Sequence, residues 1–176
     1  MAELQQLRAD HAESLLAFEV ANRAYFAASI SDRGDEFFEH FDQHLERRLT
    51  EQEAGEGAYY VLVADDGAVL GRFNLIFDAD DDDGVAELGY RVAEQVAGRG
   101  VATATVRDLC ELAVSRHGVR TIKAATSHAN TASQRVLLKA GFVPVGPADP
   151  AHMNGAPGTW YQREAGTESG DPPGGS

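Results

Sequence analysis

Two closely spaced glycines, Gly98 and Gly100, lie between a stretch with the alternation of a half-buried strand and a stretch with the period of a helix. Glycine adopts positive φ without steric cost, so the chain can turn sharply here and leave its amides free at the helix start. Those amides and the positive end of the helix dipole attract anions. The turn therefore predicts a phosphate cradle, although a purely structural strand-to-helix turn uses the same residues.

A second signature follows downstream, where Asn130 and Ser133 open a helical stretch at residues 131–140 behind a strand-like run at residues 121–126. Asparagine is a favoured N-cap, because its side-chain oxygen accepts a bond from a free backbone amide. The two signatures in this order resemble the GCN5-related N-acetyltransferases (GNAT), and most closely the branch that acetylates the N-termini of ribosomal proteins. The resemblance covers residues 59–163 and rests on Gln95, Gly98, Gly100, Ala102, Asn130, Ser133, Lys139, Gly141 and Phe142.

The resemblance implies an α+β fold in a single GNAT-like domain over residues 1–164. Its mixed, mostly antiparallel central sheet would separate at the acetyl-CoA site, after a bulge, and would be flanked by helices. A chain of 176 residues can bury a full core without disulfides or a structural metal. Residues 165–176, rich in glycine and proline, are expected to form a disordered tail because they cannot bury apolar surface.

The resemblance also assigns a site for the co-substrate acetyl-CoA. The amides of residues 98–102 would hold the diphosphate, with Gln95 opening the turn and Arg99 adding charge. The pantetheine arm would bond to main-chain groups of residues 90–92 like an added strand, and Asn130 would bond to the same arm while capping its helix. The residues expected to bind acetyl-CoA are Tyr90, Arg91, Val92, Gln95, Gly98, Arg99, Gly100, Val101, Ala102, Asn130, Ser133 and Lys139.

Two residues are expected to move protons. Many relatives place a tyrosine seven residues after the asparagine to protonate the departing thiolate, but this sequence has Leu137 there. We assign that role to Ser133, although a simple small helix residue would look the same. Glu87, the one carboxylate on the central strand before the turn, is the expected general base, directly or through a water. Its alternative role is that of a solvent-facing strand residue, and the chemistry requires no metal.

The charge of the chain is distributed unevenly. A net charge of −13 argues against a nucleic-acid partner, since such binding needs a basic surface. Residues 91–139 nevertheless carry eight basic and three acidic residues, against seven and twenty-five elsewhere. A basic region in an acidic protein suits a small polyanion there and a cationic partner elsewhere, although scattered surface charge would give a similar count.

Several features indicate the compartment and the absence of metal. Cys110 is the only cysteine, so it cannot form an intramolecular disulfide, and its position on a helical face predicts a buried packing residue. The sequence shows no signal segment or long apolar span, so we expect a cytoplasmic protein without membrane contact. His40 and His44 have metal-like spacing and residues 78–83 are rich in aspartate, but neither set is complete.

The remaining elements follow from periodicity. Residues 35–53 have apolar positions at helical spacing and predict one amphipathic helix. Residues 65–67, Asp-Asp-Gly, predict a hairpin between two strands. Gly118 is expected to end the helix over residues 101–117, and Pro147 to end a strand at residues 142–145.

The sequence leaves the acceptor amine open. Residues 19–26 are similar to the N-terminal helices that overhang the acceptor site in the ribosomal-protein branch, which favours a protein N-terminus. An amino acid, a polyamine or an aminoglycoside is the alternative, because loops without readable chemistry form the acceptor walls. A non-catalytic CoA-binding module would keep the turn and Asn130 but lack a base. A nucleotide-binding domain fits less well, because no Lys-Ser/Thr pair follows the turn.

Overall fold

A computed structural model describes residues 2–28, 30, 32–77, 84–150 and 155–164. Within these ranges, the strands are β1 (Glu3–Gln6), β2 (Gly57–Val63), β3 (Val69–Phe77), β4 (Val85–Val92), β5 (Thr121–Ser127), β6 (Val143–Ala148) and β7 (Gly158–Glu164). The α-helices are α1 (Ala12–Ala21), α2 (Arg23–Ala27), α3 (Asp35–Glu39), α4 (Phe41–Glu53), α5 (Val101–His117) and α6 (Thr131–Lys139).

All the strands form one sheet with the order β1-β2-β3-β4-β5-β7-β6. Neighbouring strands are antiparallel except β4 and β5, which are parallel because α5 carries the chain back between them. The expected α+β fold with a mixed, mostly antiparallel sheet flanked by helices is therefore confirmed.

Each face of the sheet is covered by a different set of helices. On one face, α5 and α6 bury Val106, Leu109, Cys110 and Leu137 against strand residues such as Phe73. On the other face, α1 to α4 bury a second cluster, which includes Leu15, Phe18, Phe26, Phe37 and Phe41. Cys110 is only 1% exposed, and burial raises its pKa to about 11. The predicted packing role of Cys110 is confirmed.

The sheet opens between its two parallel strands. Residues 85–87 of β4 pair with residues 121–123 of β5, and the pairing ends there. Beyond this point β4 stays paired with β3 as far as Val92, while β5 stays paired with β7 as far as Ser127. The register between β3 and β4 is regular throughout, so the expected bulge in the central strand is wrong. The two strands separate after this short pairing, and within the described ranges one edge of residues 88–92 has no strand partner.

Two predicted boundaries differ from the structure. The single helix expected over residues 35–53 is broken at His40, whose φ of −116° and ψ of 33° are not helical. At this break Phe37 packs edge to face against both Phe38 and Phe41, so tertiary packing overrides the continuous helical period. Strand β6 continues through Pro147, because it lies at the sheet edge, where a missing N–H donor is tolerated.

Other local predictions are confirmed. Gly118 ends α5 with a φ of +64°, and the Asp-Asp-Gly hairpin closes with a 2.8 Å bond from the Ala64 N–H to the Ala68 carbonyl. The aspartate-rich residues 78–83 and the expected tail at residues 165–176 lie outside the described residues. No helix in the described ranges is long and apolar enough to cross a membrane.

Candidate active site

The glycine turn has the geometry that its sequence predicts. Gly98 and Gly100 have φ values of +74° and +77°, and Gly100 is the N-cap residue of the 17-residue helix α5. A side chain added at either glycine would meet nothing within 4 Å, so the turn borders open space. The first amides of α5 have no intrahelical acceptor and stand at the positive end of the helix dipole. The turn therefore fits an anionic group such as a diphosphate.

The space beside this turn is a cavity of about 340 Å³, here called the turn cavity. Two cations that lie on α6, Arg135 and Lys139, contribute to its wall. Of the residues expected to bind acetyl-CoA, those that line it are Tyr90, Arg91, Val92, Gly98, Gly100, Val101, Ala102, Asn130, Ser133 and Lys139.

The other two expected residues, Gln95 and Arg99, are exposed and outside this wall. Gln95 lies in a short 3₁₀ helix, Glu94–Val96, that leads into the turn, and positive φ at both flanking glycines leaves Arg99 at the turn's solvent side. Sequence reasoning did not select Arg135, although its helical spacing of four from Lys139 would have placed both on one face.

A second cavity of about 410 Å³ lies where β4 and β5 separate, and we call it the cleft cavity. Its walls come from β3, β4, β5 and α6, and Arg33 from the segment before α3 also lines it. Among the described residues, five line both cavities: Ile30, Tyr90, Arg91, Asn130 and Ser133. The two cavities therefore meet beside the unpaired edge of β4.

A hydrogen-bonded pair of hydroxyls lies at this meeting point. The Tyr90 and Ser133 hydroxyl oxygens are 2.9 Å apart, and the Tyr90 ring stacks on Phe73 at 5.7 Å. Burial raises the pKa of Tyr90 to about 12, so its hydroxyl keeps its proton at neutral pH. Leu137 borders the cleft cavity and is 1% exposed. A strand tyrosine thus supplies a phenol near the position where α6 lacks one.

Asn130 has the capping role that its position predicts. Its side-chain oxygen accepts a 3.2 Å hydrogen bond from the Ser133 backbone N–H, at the first turn of α6. This bond fixes the start of α6 and, with it, the position of the Ser133 side chain. Asn130 also lines both cavities, so capping and contact with a bound molecule are compatible.

Glu87 lies just outside the cleft cavity. It occupies the last position at which β4 pairs with β5, opposite Lys123, and its partner on β3 is Ile76. It shares a strand face with Gly89, which lines the cavity, and two residues of strand span about 7 Å. Glu87 is not among the residues that line either cavity. The carboxylate of Glu87 is therefore near the cleft cavity but is not part of its wall.

Three arginines in the wall of the cleft cavity surround a buried glutamate, and we call them the arginine cluster. Glu19 is 1% exposed and accepts 3.0 Å bonds from Arg72 Nη1 and Arg33 Nε, and Arg91 Nη1 lies 4.0 Å from its carboxylate. Burial, together with the charge of Arg33, lowers the pKa values of Arg72 and Arg91 to about 10, so both remain charged at neutral pH. All three arginines line the cleft cavity.

Sequence reasoning missed this cluster, because the partners are far apart in the chain. The available signal was a glutamate among the apolar residues of α1 and an arginine between Gly71 and Phe73 in an apolar strand. A charged residue at an inward position of a helix or strand needs a buried partner of opposite charge. The pattern could have paired Glu19 with Arg72, but it could not have added Arg33.

Two cavities that meet at one pair of hydroxyls suit an enzyme that transfers a group between two substrates. The chain belongs to the GNAT acetyltransferase family, because a family model described as "Acetyltransferase (GNAT) domain" matches residues 2–143. GNAT acetyltransferases use acetyl-CoA as the donor, and the open glycine turn, the free amides and the cations of α6 fit its phosphates. The family expected from the sequence is confirmed.

Solved structures with the same fold come from enzymes with different acceptors. A ribosomal-protein-S5-alanine acetyltransferase from Vibrio fischeri has a TM-score of 0.84 and 20% identity, over 94% of this chain and 93% of that one. RimJ from Mycobacterium smegmatis, in complex with CoA-disulfide, has a TM-score of 0.81 and 20% identity, over 93% of this chain and 82% of that one. A spermidine N-acetyltransferase from Vibrio cholerae, in complex with CoA and spermine, has a TM-score of 0.75 and 15% identity, over 93% of this chain and 95% of that one. No curated protein matches the sequence significantly.

Proposed function

We propose that this enzyme acetylates the N-terminal α-amine of a protein by direct attack within a ternary complex with acetyl-CoA. The observation that carries the proposal is the meeting of the turn cavity and the cleft cavity at Tyr90 and Ser133. Donor and acceptor can each enter from their own side and bring two reacting atoms together there. The similarity to a ribosomal-protein-S5-alanine acetyltransferase supports a protein acceptor.

The turn cavity holds the donor in this proposal. The amides of residues 98–102 bind the diphosphate, and Arg135 and Lys139 add positive charge beside it. The main-chain groups of residues 90–92 that face the gap toward β5 bond to the pantetheine arm as an added strand would. Bound acetyl-CoA supplies an activated acetyl group, and these contacts direct it to the opening between β4 and β5.

The Tyr90–Ser133 pair supplies the proton that the departing thiolate needs. Ser133 lines both cavities, so its hydroxyl can donate a proton to the sulfur, and the Tyr90 hydroxyl can replace that proton across 2.9 Å. A water in the cleft cavity then returns a proton to the Tyr90 oxygen, which restores the pair for the next turnover. The raised pKa of Tyr90 keeps this second proton available at neutral pH. The pair thus performs the role expected of Ser133, with Tyr90 as a positioning and relay residue.

Deprotonation of the amine is assigned to Glu87 through a water. The assignment is supported by the position of Glu87 two residues before Gly89, which lines the cleft cavity and lies on the same face of β4. An α-amine has a pKa of about 8, so a modest base suffices near neutral pH, whereas a lysine amine at about 10.4 would need more assistance. This difference favours an N-terminal amine over a lysine side chain.

A small-molecule acceptor is the second candidate, and the cleft cavity limits which kind. Its wall contains Arg33, Arg72 and Arg91, and like charges at short range repel a polyamine or an aminoglycoside. The spermidine acetyltransferase of similar fold therefore guides the choice of acceptor less than the ribosomal-protein enzymes do. An amino acid, whose carboxylate neutralises part of this charge, fits better than a polycation.

The test is an acetyl-donor assay across four acceptor classes: N-terminal peptides, amino acids, spermidine and an aminoglycoside. We expect acetylation of the peptide α-amine, located by mass spectrometry and matched to CoA release. Acetyl-CoA binding measured by calorimetry without turnover of any amine would instead indicate a non-catalytic CoA-binding module. Preferential turnover of spermidine or of the aminoglycoside would contradict the N-terminal assignment and leave the acetyltransferase activity intact.

A further inference from the structure

The arginine cluster carries more positive charge than Glu19 can balance. Three guanidinium groups lie within 4.0 Å of one carboxylate, in a site where the side chains of Arg72 and Glu19 are only 8% and 1% exposed. A buried charge without a partner is costly, so such an excess is retained where a further anion joins it. The guanidinium groups also carry more N–H donors than two carboxylate oxygens can accept.

One of these donors is buried and unused. The Nε atom of Arg72 has no hydrogen-bond partner in the described part of the chain, although Arg72 is almost fully buried. The Nε atom itself is closed to solvent, so its missing bond marks a positive charge that the protein compensates incompletely, and not a point of contact for a ligand. Arg72 also lines the cleft cavity, so an anion bound in that cavity lies beside this charge.

The cations lie in the same cavity as the reacting centre. Ser133 and Asn130 form part of the cleft wall near the donor, and Arg33, Arg72 and Arg91 form another part. Arg91 lines both cavities, whereas Arg33 and Arg72 line the cleft cavity and not the turn cavity. Because Arg135, Lys139 and the helix amides are available to the donor phosphates in the turn cavity, we assign an anion beside Arg33 and Arg72 to the acceptor. A volume of about 410 Å³ lies within the usual range of small-ligand sites.

We propose that the acceptor carries a carboxylate, which Arg33, Arg72 and Arg91 bind while the amine reaches Ser133. The proposal rests on the acetyltransferase function proposed above and names the substrate class for the same site. Guanidinium groups bind carboxylates through paired, charge-assisted hydrogen bonds, which fix orientation as well as charge. The carboxylate is either an acidic side chain near a peptide N-terminus or the α-carboxylate of a free amino acid.

The first arm of the experiment changes only the acceptor. Peptides with aspartate or asparagine, and with glutamate or glutamine, at the second or third position are compared, as are amino acids and their carboxamides. If the site recognises the carboxylate of one of these acceptors, we expect kcat/KM for that acid to be at least about tenfold higher than for its matched amide. A response in the peptide pairs identifies an acidic side chain, and a response in the amino-acid pair identifies the α-carboxylate.

The second arm changes the protein. Arg33 has a side chain that is 22% exposed, so Arg33→Gln is expected to fold, and it should lower the acid-to-amide ratio toward one, mainly through KM. The control Arg120→Gln removes the same charge from an exposed residue outside both cavities and should keep the ratio. The Kd for acetyl-CoA, measured by calorimetry, should be unchanged in both variants.

Each failure has a different meaning. Equal kcat/KM values for acids and amides in the unmodified protein would overturn the carboxylate proposal, as would an unchanged ratio in Arg33→Gln. Absence of turnover with every amine, despite normal acetyl-CoA binding, would instead contradict the proposed acetyltransferase function. Arg72→Lys is a second variant, and its circular dichroism spectrum shows whether the protein still folds when lysine replaces the arginine that pairs with Glu19.

Discussion

At the scale of single residues, the site replaces one expected hydroxyl with two. Relatives with a tyrosine on the α6 helix can protonate the thiolate from one side chain, whereas this chain has the buried Leu137 there. Ser133 from α6 and Tyr90 from β4 lie 2.9 Å apart instead. The proton path that we propose therefore spans two elements, and the distance between its two hydroxyls depends on how α6 packs on the sheet.

Removing either hydroxyl should slow turnover without weakening donor binding. We expect Ser133→Ala and Tyr90→Phe each to lower kcat by about tenfold or more, because general-acid assistance is lost, while the Kd for acetyl-CoA stays the same. The double variant should be no slower than the slower single variant if both hydroxyls serve one path. Ser115→Ala, at an exposed position of α5, is the matched control. Full activity in both single variants would mean that water protonates the thiolate.

The role of Glu87 can be separated from binding by its pH dependence. We expect Glu87→Gln to lower kcat most below pH 8, where the α-amine is largely protonated, and least above it, where the amine loses its proton unaided. The measurement is kcat against pH with a saturating peptide acceptor. A loss that is constant across the pH range would assign Glu87 to structure, through its place between Ile76 and Lys123.

At the scale of elements, local patterns predicted what local forces decide. The alternation of apolar residues predicted β4, and the glycines predicted the turn. Asn130 predicted the start of α6 and Gly118 the end of α5. These features could be predicted because each one depends on residues that are close in the sequence. The break at His40 and the short β4–β5 pairing depend on packing between distant segments, so periodicity could not supply them. The same reason hid the arginine cluster, which joins residues 19, 33, 72 and 91.

The turn supports a direct test of the donor site. Acetyl-CoA should raise the Tm, since a ligand at about a hundred times its Kd stabilises the folded state by about 2.7 kcal/mol. Gly98→Glu and Gly100→Glu should abolish this shift, because the added carboxylate enters open space beside the phosphates. Gly67→Glu is the control, with the same kind of positive φ in a distant hairpin. It should lose similar stability from backbone strain and keep the shift.

If both glycine variants kept the full ligand-induced shift, the diphosphate would bind elsewhere. A reduced Tm without ligand is expected in all three variants, because a side chain at positive φ costs about 1–2 kcal/mol. Only the ligand-dependent difference is therefore informative, and it is read by differential scanning fluorimetry at matched acetyl-CoA concentrations.

At the scale of the whole molecule, long-range and short-range charge act differently. Outside residues 91–139 the chain carries seven basic and twenty-five acidic residues, which attracts a cationic partner from a distance. Inside the cleft cavity the three arginines favour an anion at contact. A peptide with an acidic residue near its amine and a basic body satisfies both, because long-range steering and local recognition involve different parts of it.

Salt should separate these two effects. For a peptide with a basic body, we expect kcat/KM to fall as ionic strength rises, since the Debye length is about 10 Å at 0.1 M and distant charges are screened. A peptide with the same first residues and a neutral body should show a weaker dependence. The ratio of kcat/KM for a peptide with an acid at the second position to that for the matched amide should change little with salt. The reason is that the bound carboxylate and the arginine cluster are buried. Equal salt dependence for both bodies would contradict steering by the acidic surface.

The three-residue pairing of β4 with β5 also determines how the molecule holds together mechanically. The sheet consists of two half-sheets, one formed by β1, β2, β3 and β4 and the other by β5, β7 and β6. The short β4–β5 pairing and helix α5 connect them. In the proposed complex, a pantetheine arm along the gap adds hydrogen bonds where β4 and β5 make none, so the donor ties the two half-sheets together. The half-sheets also share one buried core, to which Phe73 and Leu88 contribute from one side and Ile122 and Tyr161 from the other, so the donor strengthens a connection that packing already provides.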